Sequence, residues 1–271
     1  MPVKFAGIEL RGPFLPASGC YGYGWEAEES LGPLRWGAVV TKTVTPLPRE
    51  GNPPPRIQET ESGIVNRIGL QNCGLDEFIS LHAARLKKLS CPFIVSIFSE
   101  SEEGWITLSG KLSQAGAAAL ELNLSCPNLS GERMTSDPAG CAGVVELVKK
   151  HSGIPVIPKI NALDRPVFLG RALERSGADA IVCSNTLPAL FHKNGEFHQG
   201  GLSGPAIKPV ALRAVRDLCR SVSIDVGACG GISTAEDAEE YRLAGAKVFI
   251  LGSVLLKHPG IVNSLQAGLT D

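Results

Sequence analysis

Seven short apolar runs recur along the chain, and the segments between them follow a different period. The runs are "GAVVTKTVT" (37–45), "PFIVSIF" (92–98), "AALELNLS" (118–125), "IPVIPKI" (154–160), "ADAIVCSNT" (178–186), "SIDVGACGG" (223–231) and "AKVFILGS" (246–253). They are apolar almost without interruption, as strands buried on both faces must be. Between them, "LDEFISLHAARLKKL" (75–89) repeats its apolar residues at three- and four-residue steps, the period of an amphipathic helix. "AGCAGVVELVKKH", "DRPVFLGRALERSG", "KPVALRAVRDLCRS" and "TAEDAEEYRLAG" read the same way. Several of these stretches end in glycine, a helix stop, and "STAEDAEE" opens on an N-cap residue followed by acids. An eighth short strand is expected near "FLPASGC" (14–20). Eight strands alternating with helices at this length predict an α/β fold, the TIM (β/α)8 barrel, with a doubly wound sheet as the alternative. No linker or low-complexity stretch divides the chain, so residues 1–271 are expected to form one domain. One segment breaks the rhythm. Residues 45–74 hold five prolines and no periodicity, and a structureless functional loop is expected there.

Charge and composition remove other classes. A net charge of -1 gives no electrostatic reason to bind nucleic acid or an anionic membrane. No apolar run approaches the roughly 20 residues needed to span a bilayer. "MPVKFAGIELRGPF" lacks the apolar core and cleavage site of a signal peptide, so a cytoplasmic location is expected. The eight cysteines match no zinc or iron–sulfur spacing, and no metal site is expected. They are expected to be free thiols, mostly small buried hydrophobes.

In a barrel of this kind function sits at the C-terminal ends of the strands. There the sequence places Ala17, Ser18 and Gly19, then Lys42 and Thr43, then "NLSCPN", Lys159, "SNT", "GACGG" and finally Gly252 and Ser253. Lysines, carboxamides and small hydroxyls therefore converge on one rim. The glycines after the last two strands let backbone approach a ligand, and helix N-termini just beyond offer N–H groups to an anion. "GGLSGPA" (200–206) adds another glycine-rich loop opening a helix. Lys42 and Lys159 lie on opposite sides of the strand order, a spread that suits a large flat electron acceptor such as a flavin. A Schiff base at Lys159 is the rival reading.

These residues bring out a family resemblance over nearly the whole chain. "VTKTVTPLPREGNPPPRIQET" (40–60), "NRIGLQN" (66–72), "LNLSCPN" (122–128) and "GGLSGPAIKPVALR" (200–213) resemble class 1 dihydroorotate dehydrogenases, the soluble flavoenzymes of pyrimidine synthesis. The detail is most similar to the FMN-containing catalytic subunit of subclass 1B. The resemblance implies oxidation of dihydroorotate to orotate on the way to UMP. It implies FMN held by Ala17, Ser18, Gly19, Lys42, Thr43, Asn123, Lys159, Gly204, Cys229, Gly230, Gly231, Gly252 and Ser253. It implies orotate held by Lys42, Asn66, Gly69, Leu70, Asn123, Asn128, Asn185 and Thr186. It further implies a homodimeric core and a second subunit carrying FAD and a 2Fe–2S cluster, which passes electrons to NAD. Three features depart from the pattern, one being a compressed segment between "SNT" (184–186) and "GGLSG" (200–204). Ser96 stands where the family has an asparagine facing the flavin, and "LSGERMTSDPAG" (129–140) replaces a longer glycine-rich loop. "SCPNLSGERM" also resembles the dihydropyrimidine dehydrogenases, which are one alternative. A flavin-free phosphate-binding isomerase or aldolase and a non-catalytic scaffold barrel are the others.

The resemblance assigns the catalytic base to Cys126, where the membrane-linked class carries serine. The chemistry agrees. Oxidising dihydroorotate sends the C6 hydride to the flavin and needs a base for the C5 proton. His82 and His151 fall on helical stretches and His192 and His198 in an expected loop, so no histidine ends a strand. A thiol with an ordinary pKa of about 8.5 ionises modestly at neutral pH. A buried structural thiol is the alternative.

Overall fold

The computed structural model describes residues 2–125 and 137–268. Its centre is an eight-stranded sheet in the order β3-β14-β13-β10-β9-β8-β7-β4. These strands are β3 (Phe14–Pro16), β4 (Val39–Val40), β7 (Phe93–Ile97) and β8 (Ala119–Asn123), followed by β9 (Val156–Ile160), β10 (Ala180–Cys183), β13 (Asp225–Cys229) and β14 (Val248–Leu251). Every pairing in this sheet is parallel. The ring closes where the Gly37 amide donates to the Phe14 carbonyl at 2.9 Å. This is the TIM barrel expected from the alternating pattern.

Side-chain parity along the strands decides what faces inward. Leu15, Val40, Ile94, Ala119, Ile157, Val182, Val248 and Ile250 fill the interior, and Phe5 and Leu10 join them from the N-terminal hairpin β1 (Val3–Phe5) and β2 (Ile8–Leu10). Two residues further along the same faces come Ala17, Lys42, Ser96, Glu121, Lys159 and Ser184. The barrel thus passes from aliphatic to polar toward the C-terminal strand ends. Glu121 is 2% exposed, and its Oε1 lacks a hydrogen-bond partner.

The outer layer contains α4 (Glu102–Gln114), α5 (Pro138–Ser152), α6 (Pro166–Arg175), α7 (Lys208–Cys219) and α8 (Ala235–Leu243). Before them come α1 (Trp25–Leu31) and a helix built from α2 (Leu75–Glu77), a π turn (Phe78–Ala83) and α3 (Ala84–Leu86); α9 (Val262–Gly268) is last. Ser101 caps α4 by accepting from the Gly104 amide at 3.1 Å. The capping box of α8 pairs Thr234 with Asp237.

Two expectations are corrected. Residues 45–74 are not structureless: β5 (Ile57–Thr60) and β6 (Gly63–Asn66) form a hairpin within them. The prolines end at Pro55, and β6 finds its second partner in β12, far along the chain. The second correction concerns the histidines. His192 and His198 lie on β11 (Leu187–Lys193) and β12 (Glu196–Ser203), an antiparallel hairpin. Together these strands make a second sheet, ordered β11-β12-β6-β5, which rises beside the mouth of the barrel.

Candidate active site

A cavity of about 1460 Å³ opens at the C-terminal ends of the barrel strands and is walled on one side by the second sheet. Its floor carries Ala17, Ser18 and Gly19 after β3, Lys42 and Thr43 after β4, Asn123 on β8 and Lys159 on β9. Asn185 and Thr186 follow β10, and Cys229, Gly230 and Gly231 end β13. Gly204, Gly252 and Ser253 close one end, while Asn66, Gly69 and Leu70 enter from the wall. The sequence separations are large, yet all these residues line one space. Cys126 and Asn128 lie outside the described residues.

A hydrogen-bonded polar set fixes the floor. Asn185 Nδ2 donates to Ser125 Oγ at 2.6 Å and to Asn123 Oδ1 at 3.4 Å, and its Oδ1 accepts from the Thr186 amide at 2.8 Å. Asn123 Nδ2 reaches Thr43 Oγ1 at 3.3 Å, and that hydroxyl also meets Ser96 Oγ at 3.0 Å and Ser18 Oγ at 3.1 Å. Ser96 is fully buried and belongs to the layer that holds Thr43. On the wall, Asn66 Nδ2 donates to the Gly201 carbonyl at 3.2 Å, tying β6 to β12.

Lys42 and Lys159 bring positive charge to the cavity floor, and Arg49 and Arg67 add to it from the wall. The Lys42 pKa is lowered, first by burial and then by the Arg56 guanidinium. Lys159 is 5% exposed and faces the Cys20 and Cys229 thiols. Burial pushes Cys20 up to about 11 and raises Cys229 too, while the Lys159 charge acts in the opposite direction on both. Neither thiol is therefore a ready nucleophile at neutral pH.

The glycine end fits a phosphorylated flavin. A Cβ built on Gly231 would lie 2.9 Å from the Gly204 carbonyl oxygen, and one on Gly204 would lie 2.7 Å from Gly63 Cα. Gly204 and Gly231 also have φ of 102° and 71°, where side chains are disfavoured. The backbone at Gly63, Gly204 and Gly231 is therefore closely packed, with Lys208 Cβ also 2.7 Å from a Cβ built on Gly231, and chain segments this close with no Cβ of their own let amides approach a phosphate. The Tyr241 hydroxyl, fully buried, donates to the Gly230 carbonyl at 2.7 Å and fixes that peptide.

The full length, residues 1–271, matches the protein family described as dihydroorotate dehydrogenase. The chain belongs to the dihydroorotate dehydrogenase family. Members are flavin-dependent oxidoreductases acting on CH–CH bonds. A relative from Endomicrobium trichonymphae, named dihydroorotate dehydrogenase B (NAD(+)), catalytic subunit, is 41% identical over 279 residues, covering 100% of this chain and 91% of its own. The protein of the same name from Desulforudis audaxviator is also 41% identical, with 98% and 90% covered. Dihydroorotate dehydrogenase of Eimeria tenella, solved with ferulenol, superposes with a TM-score of 0.84 at 20% identity, over 99% of this chain and 83% of that one. That likeness concerns the fold. The family name sets aside the isomerase, aldolase and scaffold alternatives.

Sequence reasoning did not single out Arg49, Asn52, Arg67, Gln199 or His198, all of which line the cavity. Their signal was non-local, since β12 meets β6 only in the folded chain. Among the described residues no helix is long and apolar enough to cross a membrane.

Proposed function

We propose that this chain oxidises dihydroorotate to orotate for pyrimidine synthesis, as one FMN-binding unit spanning residues 1–271. The observation that carries the reading is the joint placement of the Lys42–Asn123–Asn185 floor and the Gly204–Gly231 cradle in one cavity. FMN belongs with its phosphate at Gly230, Gly231, Gly252 and Ser253. Ala17, Ser18, Gly19, Thr43, Lys159, Gly204 and Cys229 complete its surroundings. Bound there, the flavin supplies the acceptor for the substrate's C6 hydride.

The chain's own residues do the rest. Lys42 supplies positive charge to an anionic substrate. Asn66, Asn123, Asn128 and Asn185 offer both donors and acceptors to the imide and carbonyl edges of a flat pyrimidine, and Thr186 adds a hydroxyl. Gly69 and Leu70 offer backbone groups. The base that takes the C5 proton is Cys126, which directly follows Ser125, itself in the cavity wall. A general base of this kind contributes roughly 10²–10⁴-fold.

The catalytic subunits among its relatives imply a partner subunit. We assign that partner an FAD and a 2Fe–2S cluster, and the chain itself a homodimeric core. We place the activity in the cytoplasm, where thiols such as Cys20, Cys73, Cys183 and Cys219, free here, stay reduced.

Anaerobic mixing with dihydroorotate tests the whole reading, because flavin absorbance bleaches as the substrate is oxidised. Cys126→Ala is expected to keep its FMN and bind orotate while bleaching slows by at least about 10²-fold. Wild-type bleaching in that variant would move the base elsewhere, with His198 of the cavity wall the next residue to replace. No bleaching of the wild-type chain would remove dihydroorotate as substrate.

A further inference from the structure

We propose that Asn72 is a positioning residue for this reaction, holding the substrate-facing turn Ile68–Leu70 in a left-handed shape. The proposal rests on the reading of Gly69 and Leu70 as substrate contacts. Those two residues line the cavity, whereas Asn72 stands behind them.

The turn has an unusual backbone. Gly69 has φ 77° and Leu70 has φ 54°. Glycine adopts that region freely, but leucine rarely does, because its Cβ crowds the following carbonyl. Something must therefore hold Leu70 there. On one side the Asn52 amide donates to the Ile68 carbonyl at 3.0 Å. On the other, Asn72 Nδ2 donates to the Leu70 carbonyl at 2.8 Å.

Asn72 is itself locked. It is 8% exposed, and its Nδ2 also donates to Thr45 Oγ1 at 2.8 Å. Its Oδ1 accepts from the Gly74 amide at 2.8 Å and the Thr45 amide at 3.2 Å. Its own backbone exchanges two 3.0 Å hydrogen bonds with Arg49. The orientation of the carboxamide is forced by its neighbours. The Thr45 and Gly74 amides can only donate, so the oxygen faces them, and the Leu70 carbonyl can only accept, so the nitrogen faces it. Neither a carboxylate nor a hydroxyl reproduces that set. A carboxylate would keep both amide donors and lose the bond to Leu70, with its charge set against the Leu70 carbonyl.

The consequence is specific to the substrate. Released from Asn72, Leu70 relaxes toward ordinary backbone angles, and its polar groups and those of Gly69 leave their places in the wall. The glycine cradle at the other end of the cavity is not touched by Asn72. The expected signature is a loss of substrate affinity with flavin retention intact.

The test compares FMN-loaded wild type, Asn72→Asp and the double variant Leu70→Gly/Asn72→Asp. Orotate affinity is read from the flavin spectrum, and backbone hydrogen exchange is read across residues 66–74 without ligand. Asn72→Asp is expected to keep its flavin, to exchange faster at this turn, and to bind orotate about ten-fold or more weakly. Its rate of flavin reduction at saturating dihydroorotate should stay within about two-fold of wild type, a KM effect rather than a kcat effect. Leu70→Gly should recover part of the lost affinity, since glycine enters the left-handed region without strain. Unchanged exchange together with unchanged affinity overturns the proposal. So does flavin loss in Asn72→Asp that the double variant does not recover, because the residue then holds the fold and not the turn. Faster exchange in Asn72→Asp, with a wild type that ignores orotate, upholds the positioning role and removes only the reading of what the turn faces.

Discussion

At Lys42 a charge is held in a partly buried place on the cavity floor. Its backbone amide donates to the Gly22 carbonyl at 2.8 Å, so the side chain leaves a fixed point on the cavity floor. Burial lowers its pKa from the ordinary 10.5, and the Arg56 charge lowers it further. The charged form is therefore the costly one in the folded chain. That cost is present at neutral pH and is relieved as pH rises through the folded pKa toward 10.5. An anionic substrate reverses the balance, because it favours the ammonium form. Orotate affinity is thus expected to be flat below the folded pKa of Lys42 and to fall as pH rises through it, beginning below 10.5. Lys42→Met should bind orotate weakly and lose that alkaline limb. A limb that persists unchanged in Lys42→Met would assign the titration to another group. Lys42 was legible in the sequence because it continues the inward face of a strand by two residues. Arg49 and Arg67 were not, because only the folded chain brings residues 45–74 over the barrel mouth.

Elements differ in how much of them local pattern reveals. The barrel strands were legible because burial on both faces leaves an unbroken apolar run. The helix α4 was not read, although Trp105, Leu108 and Leu112 are all buried along one side. Each such side chain contributes about 1.5–3 kcal/mol. Thr107, Ser109 and Gly110 between them are weak helix formers, so local propensity concealed what tertiary packing decides. The β5–β6 hairpin was hidden differently, since its stabilising partner β12 lies far away in sequence. That pairing is tight at Gly63, where a Cβ would lie 1.9 Å from the Ser203 carbonyl oxygen. Gly63→Ala must therefore push β6 from β12, at a cost of about 1–3 kcal/mol. Asn66 lies on β6 and bonds to Gly201 across the same pairing. The variant should lower Tm and weaken orotate binding together. Thermal melts and spectral titration measure the two, and the expected drop in Tm with unchanged orotate affinity would separate the strand pairing from the site.

With the proposed FMN bound, the chain gains a redox centre whose electrons need an outlet. A dehydrogenase must discharge the two electrons it takes from each substrate, and NAD reduction needs a second binding site for the nicotinamide. The sequence has no G-x-G-x-x-G turn after a strand and no cysteine spacing for an iron–sulfur cluster. The barrel's polar chemistry is concentrated at one end, where a single cavity takes contributions from both sheets. Relatives named as catalytic subunits point the same way. The FMN-loaded chain alone is therefore expected to oxidise dihydroorotate rapidly with an artificial dye and to reduce NAD at a small fraction of that rate. Adding an iron–sulfur flavoprotein subunit by co-expression should raise NAD reduction to the dye-supported rate, because substrate oxidation then limits both. Steady-state assays of the chain with and without the partner decide the matter. Dye and NAD rates that are equal in the isolated chain would mean that the nicotinamide reaches the flavin directly. A high rate with fumarate would instead make the one cavity serve both half-reactions, with fumarate entering after orotate leaves.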